Sequence, residues 1–396
     1  MPYRANPLVL GVAEPPIAEA QGWIEGRIFP PGKPLLNMAQ AVPSYPPAEA
    51  LRDHLAAAVR RPDSSLYTDI LGVPDLRAAL AAHMGETYGA DFAADDFGIT
   101  AGCNQAFCVA MSALAGPGDE VILPTPWYFN HQMWLQMQGV TPVPLNCDEA
   151  RGAMPDPVDA AALIGERTRA IVLVTPNNPT GAIYPPDLIG AFYELAREHN
   201  IALVLDETYK DFMDGEAAPH DLFTRADWRD NFIQLYSFSK AYSLTGYRVG
   251  SVAGGPAIMG AIEKIMDCIA ICAPRIGQEA ALYGLGHLAG WRAEKRDLMA
   301  ERTAALRAAF HGANSGYQIV SSGAYFAWVR HPFAGRAATD VARMLATDHN
   351  LLCLPGSMFG PGQEDYLRLA FANLEADNMG EVVARLGESA VGADRG

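Results

Sequence analysis

The sequence predicts an α/β fold built on a mostly parallel sheet whose two faces are both covered. Three apolar segments, at 170–175, 201–206 and 232–236, alternate with segments that are patterned as helices. Uninterrupted apolar strands are typical of parallel strands that are buried on both faces. After about residue 286 the alternation of helices and strands becomes looser, which predicts a second, smaller α+β domain.

The predicted elements follow one another along the whole chain. The first 47 residues are rich in proline and glycine, so we expect an extended arm with short ordered pieces. Helices are then predicted at 48–60, 104–114, 186–199, 257–273, 291–310, 339–349 and 374–386. A first short strand is predicted to end at Thr100, and further strands to run over 120–123, 170–175, 201–206, 232–236, 249–253, 323–329 and 366–371.

Composition argues against several classes of protein. The 396 residues are 50% hydrophobic, which is enough for a large core and two domains. The formal net charge is −16 and no basic run stands out, so neither nucleic acid nor an anionic membrane is an expected partner. The six cysteines lack the spacing of metal ligands, so no metal site is predicted. Because no apolar segment resembles a signal peptide or a membrane span, we expect a cytoplasmic protein.

Lys240 lies in the most informative stretch of the chain, residues 237–250, directly after a predicted strand. A lysine in a largely apolar site can have its pKa lowered and can attack a carbonyl to form a Schiff base. Ser237, Ser239 and Arg248 suit a phosphate dianion, because arginine binds phosphate in a bidentate fork. A Schiff-base lysine beside a phosphate site indicates pyridoxal 5′-phosphate (PLP). Taken alone, however, a lysine after a strand is usually a solvated loop residue.

Other polar residues follow the predicted strands, where open α/β sheets bind their ligands. Gly102, Cys103 and Asn104 begin a helix, whose N-terminal amides suit an anion. Asp206 ends a buried strand, where a carboxylate can pair with a protonated pyridine nitrogen, and Tyr209 is near enough to reach a ring oxygen. Taken singly, these residues also fit an ordinary turn, a capping aspartate and a half-buried aromatic.

Three further positions carry the same kind of chemistry. Asn178 follows a buried strand, where its amide can donate to a cofactor oxygen, although Asn-Pro is also a plain turn signal. Tyr128, or its neighbour Trp127, can stack on a planar ring, or simply pack the loop. Arg368 lies in the middle of an apolar strand, so it needs a carboxylate from either the protein or a ligand.

Together these residues resemble the class I/II aminotransferases, PLP-dependent enzymes of fold type I. The resemblance runs from about Asn37 to the last helix. It rests on Asn-Pro-x-Gly at Asn178, on Asp-x-x-Tyr at Asp206, and on Ser-x-Ser-Lys-x7-Arg-x-Gly around Lys240. It implies a seven-stranded type of sheet in a large PLP-binding domain at 50–285, and a small domain built from the arm, 1–49, and from 286–396.

The resemblance also implies a role for each residue. Lys240 forms the Schiff base and moves a proton between the substrate α-carbon and C4′ of the cofactor. Asp206 keeps the pyridine nitrogen protonated, while Tyr209 and Asn178 bond to the ring oxygen. Tyr128 stacks on the ring, with Trp127 as the alternative. The residues around the phosphate are Gly102, Cys103, Asn104, Ser237, Ser239 and Arg248, with the backbone amides dominating at Cys103 because a thiol is a weak donor.

Substrate binding and assembly follow from the same resemblance. Arg368 clamps the substrate α-carboxylate beside Asn178. Ala41 stands near that carboxylate, where the family commonly has a glycine. Tyr67 resembles the tyrosine that reaches the phosphate of the neighbouring subunit, which implies a homodimer with shared sites. Independently of the resemblance, Arg275 lies where the chain leaves the large domain and is a candidate partner for a substrate side-chain carboxylate, with a surface arginine as the alternative.

The expected activity is transfer of an amino group from a 2-amino acid to a 2-oxo acid, by a ping-pong mechanism through pyridoxamine phosphate. A β-eliminating carbon–sulfur lyase remains an alternative, because fold and cofactor do not fix the fate of the substrate carbanion. A PLP-binding regulator is less favoured, because such proteins usually carry an added DNA-binding domain and the segment before Tyr67 is too short for one.

Overall fold

The computed structural model describes residues 4–215 and 217–391, which form α-helices packed around three sheets. The strands are β1 (Leu36–Asn37), β2 (Phe97–Thr100), β3 (Glu120–Thr125), β4 (Thr141–Asn146), β5 (Thr168–Val174), β6 (Ala202–Asp206), β7 (Phe232–Ser237), β8 (Gly250–Ala253), β9 (Gln318–Gly323), β10 (Phe326–Arg330), β11 (Leu351–Leu352), β12 (Leu354–Pro355) and β13 (Tyr366–Ala370).

The helices are α1 (Pro7–Leu10), α2 (Pro16–Gly22), α3 (Glu49–Ala58), α4 (Pro74–Tyr88), α5 (Cys103–Leu114), α6 (Phe129–Met137), α7 (Pro157–Ala161), α8 (Pro186–Glu198), α9 (Trp228–Asn231), α10 (Phe238–Ala241), α11 (Pro256–Ala270), α12 (Arg275–His287), α13 (Ala289–Gly312), α14 (Ala338–Asp348) and α15 (Met379–Ala390). Within the described ranges, none of them combines the length and the apolar composition needed to cross a bilayer.

The largest sheet has seven strands in the order β2-β8-β7-β6-β5-β3-β4, and β8 runs antiparallel to both of its neighbours. In β6, Leu203 and Leu205 pack into one apolar cluster while Ala202 and Val204 pack into another. Because successive side chains of a strand point to opposite faces, this strand must be apolar throughout. The predicted α/β fold with a mostly parallel sheet is confirmed.

This topology gathers the polar ends of several strands at one edge of the sheet. Strands β5, β6 and β7 are parallel, so Val174, Asp206 and Ser237 close the same side. Since β2 and β7 both run antiparallel to β8, the helix that follows β2 also begins at this side. The residues that sequence analysis singled out at strand ends therefore converge.

A smaller, antiparallel sheet has the order β12-β13-β10-β9, with Trp328 of β10 opposite Arg368 of β13. The N-terminal arm joins this part of the fold, because β1 pairs in parallel with β11 through Leu36 and Leu351. The predicted domain boundaries at 49 and 285 stay predictions, and the extreme ends of those domains, residues 1–3 and 392–396, lie outside the described residues.

Two predicted elements were wrong in their bounds. The strand predicted at 323–329 is instead a hairpin, because β9 ends at Gly323 and β10 begins at Phe326. Its turn includes Ala324 with a φ of 47°, a left-handed conformation that an apolar run of residues does not signal. The helix predicted at 374–386 begins only at Met379, after a single 3₁₀ turn at 376–378.

Several elements were missed. Helix α4 carries proline at its start and ends at Gly89, which has a φ of 63°, so its capping signals were present in the sequence. Strand β4, at the edge of the seven-stranded sheet, contains Pro142 and Pro144. Because proline cannot donate a backbone hydrogen bond within a sheet, these residues argue against a strand in the sequence. Helices α6 and α12 were also not predicted.

Gly181 tests the contact between the turn after β5 and the hairpin of the smaller sheet. A Cβ on Gly181 would lie 2.4 Å from the backbone of both Gly323 and Phe326, and the residue has a φ of 72°. We expect Gly181→Ala to lower the free energy of unfolding by about 1–2 kcal/mol for the left-handed backbone and by a further ~1–3 kcal/mol for overpacking.

Gly89→Ala is the matched control, because Gly89 shares the positive φ but has open space around its Cβ. Chemical denaturation of both variants isolates the steric part. Equal losses in the two variants would contradict a tight contact at Gly181.

Candidate active site

A cleft of about 270 Å³ lies where the carboxyl edge of the large sheet meets the N-terminal arm and β13. It is lined by residues from segments far apart in the sequence. Those that sequence analysis predicted are Ala41, Cys103, Asn104, Tyr128, Asn178, Asp206, Tyr209, Ser237, Ser239, Lys240, Arg248 and Arg368. The fold thus brings into one cavity nearly all the side chains that were selected from local patterns.

Lys240 is placed by the one-turn helix α10, which leaves the end of β7. The hydroxyl of Ser237 accepts a hydrogen bond from the backbone N–H of Ser239 and so caps this helix. The ammonium of Lys240 donates to the carbonyl of Ala41 at 2.5 Å. Burial lowers the pKa of Lys240 to about 8, and the guanidinium groups of Arg248 and Arg368 act in the same direction. At neutral pH Lys240 therefore has a larger fraction of the neutral, nucleophilic amine than a solvated lysine has.

The N-terminus of α5 forms an open cradle for an anion. Gly102 precedes it with a φ of 84°, and a Cβ there would lie 2.1 Å from Nη2 of Arg248. Only a glycine therefore lets this guanidinium lie over the first turn of the helix. Arg248 itself is held by the carbonyls of Thr245 and Ala101, at 3.0 and 3.2 Å. Free helix amides and a cation meet here, an arrangement that favours phosphate.

Asp206 is a buried carboxylate at the end of β6, with 4% of its surface exposed. Its Oδ1 accepts from the backbone and hydroxyl of Thr208, at 3.0 and 2.7 Å, and lies 3.5 Å from the thiol of Cys103. Nε2 of His131 lies 3.3 Å from Oδ2. Burial alone raises the pKa of Asp206, but the bonds from His131 and Thr208 outweigh it and leave the pKa below its ordinary value.

His131 is the main residue of the site that sequence reasoning missed. Its ring stacks on Phe107 of α5, with ring centres 3.8 Å apart, and this packing holds the imidazole against Asp206. The available signal was its position three residues after Tyr128, which precedes the first turn of α6 and also lines the cleft. Because α6 was not predicted, that relation went unseen.

Arg368 is a buried cation whose surroundings lack a counter-charge. Only 2% of its surface is exposed, and among the described residues no carboxylate forms a salt bridge with it. Nη1 donates to the side-chain oxygen of Asn178 at 3.0 Å, Nη2 donates to the carbonyl of Ala39, and Nε has no protein partner within the described chain. Burial lowers the pKa of Arg368 to about 10, so it is still protonated at neutral pH.

Asn178 is aimed at Arg368 by the turn that follows β5. The side chain of Asn177 closes this turn by accepting from the backbone and hydroxyl of Thr180, at 3.1 and 2.9 Å. The next residue, Asn178, is left free of the turn and faces the cleft. The two asparagines therefore have different tasks, one structural and one directed at the cavity.

Two tyrosines complete the wall of the cleft. Tyr209 packs edge-on against Phe326, with ring centres 5.1 Å apart, and burial keeps its pKa well above the ordinary value, so it is a neutral donor. Tyr128 bonds to Asn104 at 3.3 Å and lines the cavity. Trp127 does not line the cleft and instead packs near Gly360, so the geometry favours Tyr128 over Trp127 as the stacking residue.

Three residues lie elsewhere. Gly102 is beneath Arg248 rather than on the cavity wall. Tyr67 is 75% exposed and does not line the cleft of its own chain, so its predicted contact across a dimer stays a prediction. Arg275 also lies outside the cleft and is paired with Asp63 at 2.8 Å and Glu279 at 3.5 Å.

The residues present fit PLP. The cofactor needs an anion site, a carboxylate for its pyridinium, donors for its ring oxygen and an amine for its aldehyde. The cradle at α5, Asp206, the pair Tyr209 and Asn178, and Lys240 supply these groups around one cavity. Furthermore, the orphaned Nε of Arg368 shows that a partner is still missing on the side of the cleft opposite the main sheet.

Comparisons with known proteins agree with this geometry. The family profile "Aminotransferase class I and II" matches residues 33–386. The chain is 30% identical to the aromatic aminotransferase ISS1 of Arabidopsis thaliana, over 89% of this chain and 88% of that protein. It is 27% identical to an aspartate aminotransferase of Pyrococcus horikoshii, over 77% and 78% of the two chains.

The fold agrees as well. A solved aspartate aminotransferase of Thermus thermophilus, with maleate, superposes with a TM-score of 0.88, at 24% identity, covering 98% of this chain and 99% of the other. These relatives do not favour the carbon–sulfur lyase that sequence analysis left open. The chain therefore belongs to the class I and II aminotransferase family, whose members transfer amino groups with PLP.

Proposed function

We propose that this aminotransferase binds PLP covalently through Lys240 and moves the amino group of a 2-amino acid to a 2-oxo acid, by a ping-pong sequence of two half-reactions. The observation that carries the proposal is that one cleft holds both an amine with a lowered pKa and a buried arginine that forms no salt bridge with a carboxylate of the described residues. When bound, PLP supplies an electron sink that stabilises negative charge on the substrate α-carbon.

Lys240 has two tasks in this proposal. As a neutral amine it would hold the cofactor by its aldehyde, and as a free amine it would move a proton between the substrate α-carbon and C4′. Its position at the end of α10, near the cations of Arg248 and Arg368, favours the neutral form that both tasks need. A positioned base of this kind is worth about 10²–10⁴-fold in rate.

Asp206 holds a positive charge on the pyridine nitrogen. The contacts from Thr208 and His131 keep its carboxylate ionised although it is buried. An ionised carboxylate in a poorly solvated site is a strong partner for a cation, because little water screens the pair. Tyr209 and Asn178 donate to the ring oxygen, and Tyr128 packs on the ring face.

Arg368 orients the substrate. Its free Nε and its forked geometry suit the α-carboxylate, which would replace the backbone carbonyl of Ala39 as the acceptor. Fixing the carboxylate beside Asn178 and Ala41 holds the bond from the α-carbon to hydrogen in a single orientation for Lys240, which is catalysis by positioning.

We further propose a homodimer in which Tyr67 reaches the phosphate of the neighbouring subunit. The support is that Tyr67 and its neighbour Leu66 are large, apolar and exposed, at 75% and 63%. Such a pair is more typical of a contact surface than of a free one. A cytoplasmic location is also proposed, and it is supported by six cysteines that are all free thiols.

The first test is Lys240→Ala. We expect the variant to retain PLP through the cradle at α5 and Asp206 but to lose turnover by at least about 10³-fold, since it lacks both the attachment point and the base. Equilibrium dialysis with PLP and steady-state rates measure the two effects. Lys264→Ala, on the exposed face of α11, is the control. Near-normal turnover of Lys240→Ala would refute the proposal.

The second test uses the pH dependence of cofactor attachment. Only the neutral amine attacks, and the pKa of Lys240 is lowered to about 8, so the rate of PLP capture by the apoprotein should rise with pH and level off above 8. Stopped-flow absorbance gives the midpoint. Arg368→Gln removes a nearby positive charge and should move the midpoint upward. A midpoint near the value of free lysine, about 10.4, would contradict a desolvated Lys240.

The third test concerns the substrate carboxylate. Arg368→Gln shortens the side chain and replaces the charged guanidinium with a neutral amide, at a cost of about 1.5–3 kcal/mol for a charged hydrogen bond. We therefore expect KM for amino donors to rise about 10- to 150-fold. Arg336→Gln, on the surface, is the control. An unchanged KM would show that Arg368 does not hold the substrate.

A further inference from the structure

We propose that the substrate side chain is apolar: the cleft takes monocarboxylic 2-amino acids with a large apolar side chain in preference to aspartate or glutamate. This inference rests on the function proposed above and adds the class of substrate. It comes from the charges and the apolar surface that face the part of the cleft beyond Arg368.

The cations of the cleft all have other tasks. In the described part of the chain, those that line it are Lys240, Arg248 and Arg368. Lys240 binds the cofactor aldehyde, Arg248 lies over the first turn of α5, and Arg368 takes the α-carboxylate. A second carboxylate, on the substrate side chain, would find no further cation on this wall.

Arg275 does not supply the further cation that a side-chain carboxylate would need. Its guanidinium is paired with Asp63 at 2.8 Å and with Glu279 at 3.5 Å, outside the cleft. Even beside the cleft of a second copy in the proposed homodimer, its charge would already be balanced by two carboxylates. A substrate carboxylate there would have to displace partners that the chain supplies.

The wall that remains is apolar. Ile17 of α2, Val42 of the arm and Phe129 at the start of α6 line the cleft together. Ile17 and Phe129 belong to one packed apolar cluster, so these side chains are held in place. A carboxylate moved against this surface would lose its water without gaining a cation, whereas an apolar side chain would be removed from water.

The arm and α6 also contribute two polar side chains to the cleft, Gln40 and Asn130, and both are neutral. The amide nitrogen of Asn130 already donates to the hydroxyl of Tyr128 at 2.7 Å. Neutral amides can bond to a polar edge of a substrate but do not replace the charge that a carboxylate needs. The lining of the cleft therefore disfavours a charged substrate side chain because of its charge, whatever its shape.

Calorimetry of the PLP-loaded protein with two non-reacting acids tests the inference. We expect 3-phenylpropionate to bind at least about 10-fold more tightly than succinate, a ratio typical of an apolar pocket. The same order should hold for kcat/KM of phenylalanine and leucine against aspartate and glutamate.

Variants of the apolar wall test where the selectivity resides. Ile17→Arg should raise the affinity for succinate about 10-fold, because it adds the missing cation, whereas Ile28→Arg, in the same arm and 95% exposed, should not. Val42→Ala, a milder change, should weaken 3-phenylpropionate about 10-fold and leave succinate unchanged.

The outcomes distinguish a failure of this inference from a failure of the proposed function. Equal or tighter binding of succinate, or faster reaction of aspartate, would overturn the inference and leave the proposed function standing. A PLP-loaded protein that binds neither acid and reacts with no amino acid would overturn the proposed function itself.

Discussion

The rest of the site depends on one constraint: Arg368 is buried on β13, and no carboxylate of the described residues balances its positive charge. A buried cation normally has a partner, since taking a charge out of water is costly. Among the described residues, its hydrogen-bond acceptors are the side-chain oxygen of Asn178 and the carbonyl of Ala39, and its guanidinium lies 5.2 and 5.0 Å from the ring centres of Phe326 and Phe359. Neutral acceptors satisfy hydrogen bonds but leave the charge itself unbalanced. Burial lowers the pKa of Lys240, and the charge of Arg368 adds to this effect, so a carboxylate bound to Arg368 would also change the electrostatics at that amine.

The parallel sheet makes this arrangement possible. Strands β5 and β6 bury apolar side chains on both faces, in two separate clusters, so the polar residues that face the cleft lie where the strands end. Asp206 and Ser237 occupy such ends, and α5 begins beside them. A buried carboxylate, a helix terminus and a lysine thus meet within reach of one ligand, although more than a hundred residues separate Cys103 from Lys240 along the chain.

The sequence predicted those parts of the protein that depend on local pattern. Strand β6 and Asp206 at its end were found because an apolar run followed by one carboxylate is a pattern within a few residues. His131 was missed because its significance lies in a contact with Asp206, 3.3 Å away in space but distant in sequence. The sequence predicts a single strand where the structure has a hairpin at Ala324, because neither alanine nor tyrosine indicates a left-handed turn. Role assignments drawn from a resemblance, such as that of Tyr67, remain predictions, because they depend on a second subunit.

The N-terminal arm contacts both Arg368 and the segment that carries Lys240. Its carbonyls at Ala39 and Ala41 accept from Arg368 and from Lys240, and the carbonyl of Tyr45 accepts from Ser243 at 2.6 Å, three residues after Lys240. The arm therefore supplies acceptors to the two cations that we propose to bind cofactor and substrate. A carboxylate is a stronger partner for a guanidinium than a carbonyl is, because its bonds are charge-assisted. In the proposed function the α-carboxylate would therefore replace Ala39 as an acceptor of Arg368. The same arm contributes Val42 to the apolar lining, so one segment contacts both Arg368 and the part of the cleft proposed for the substrate side chain.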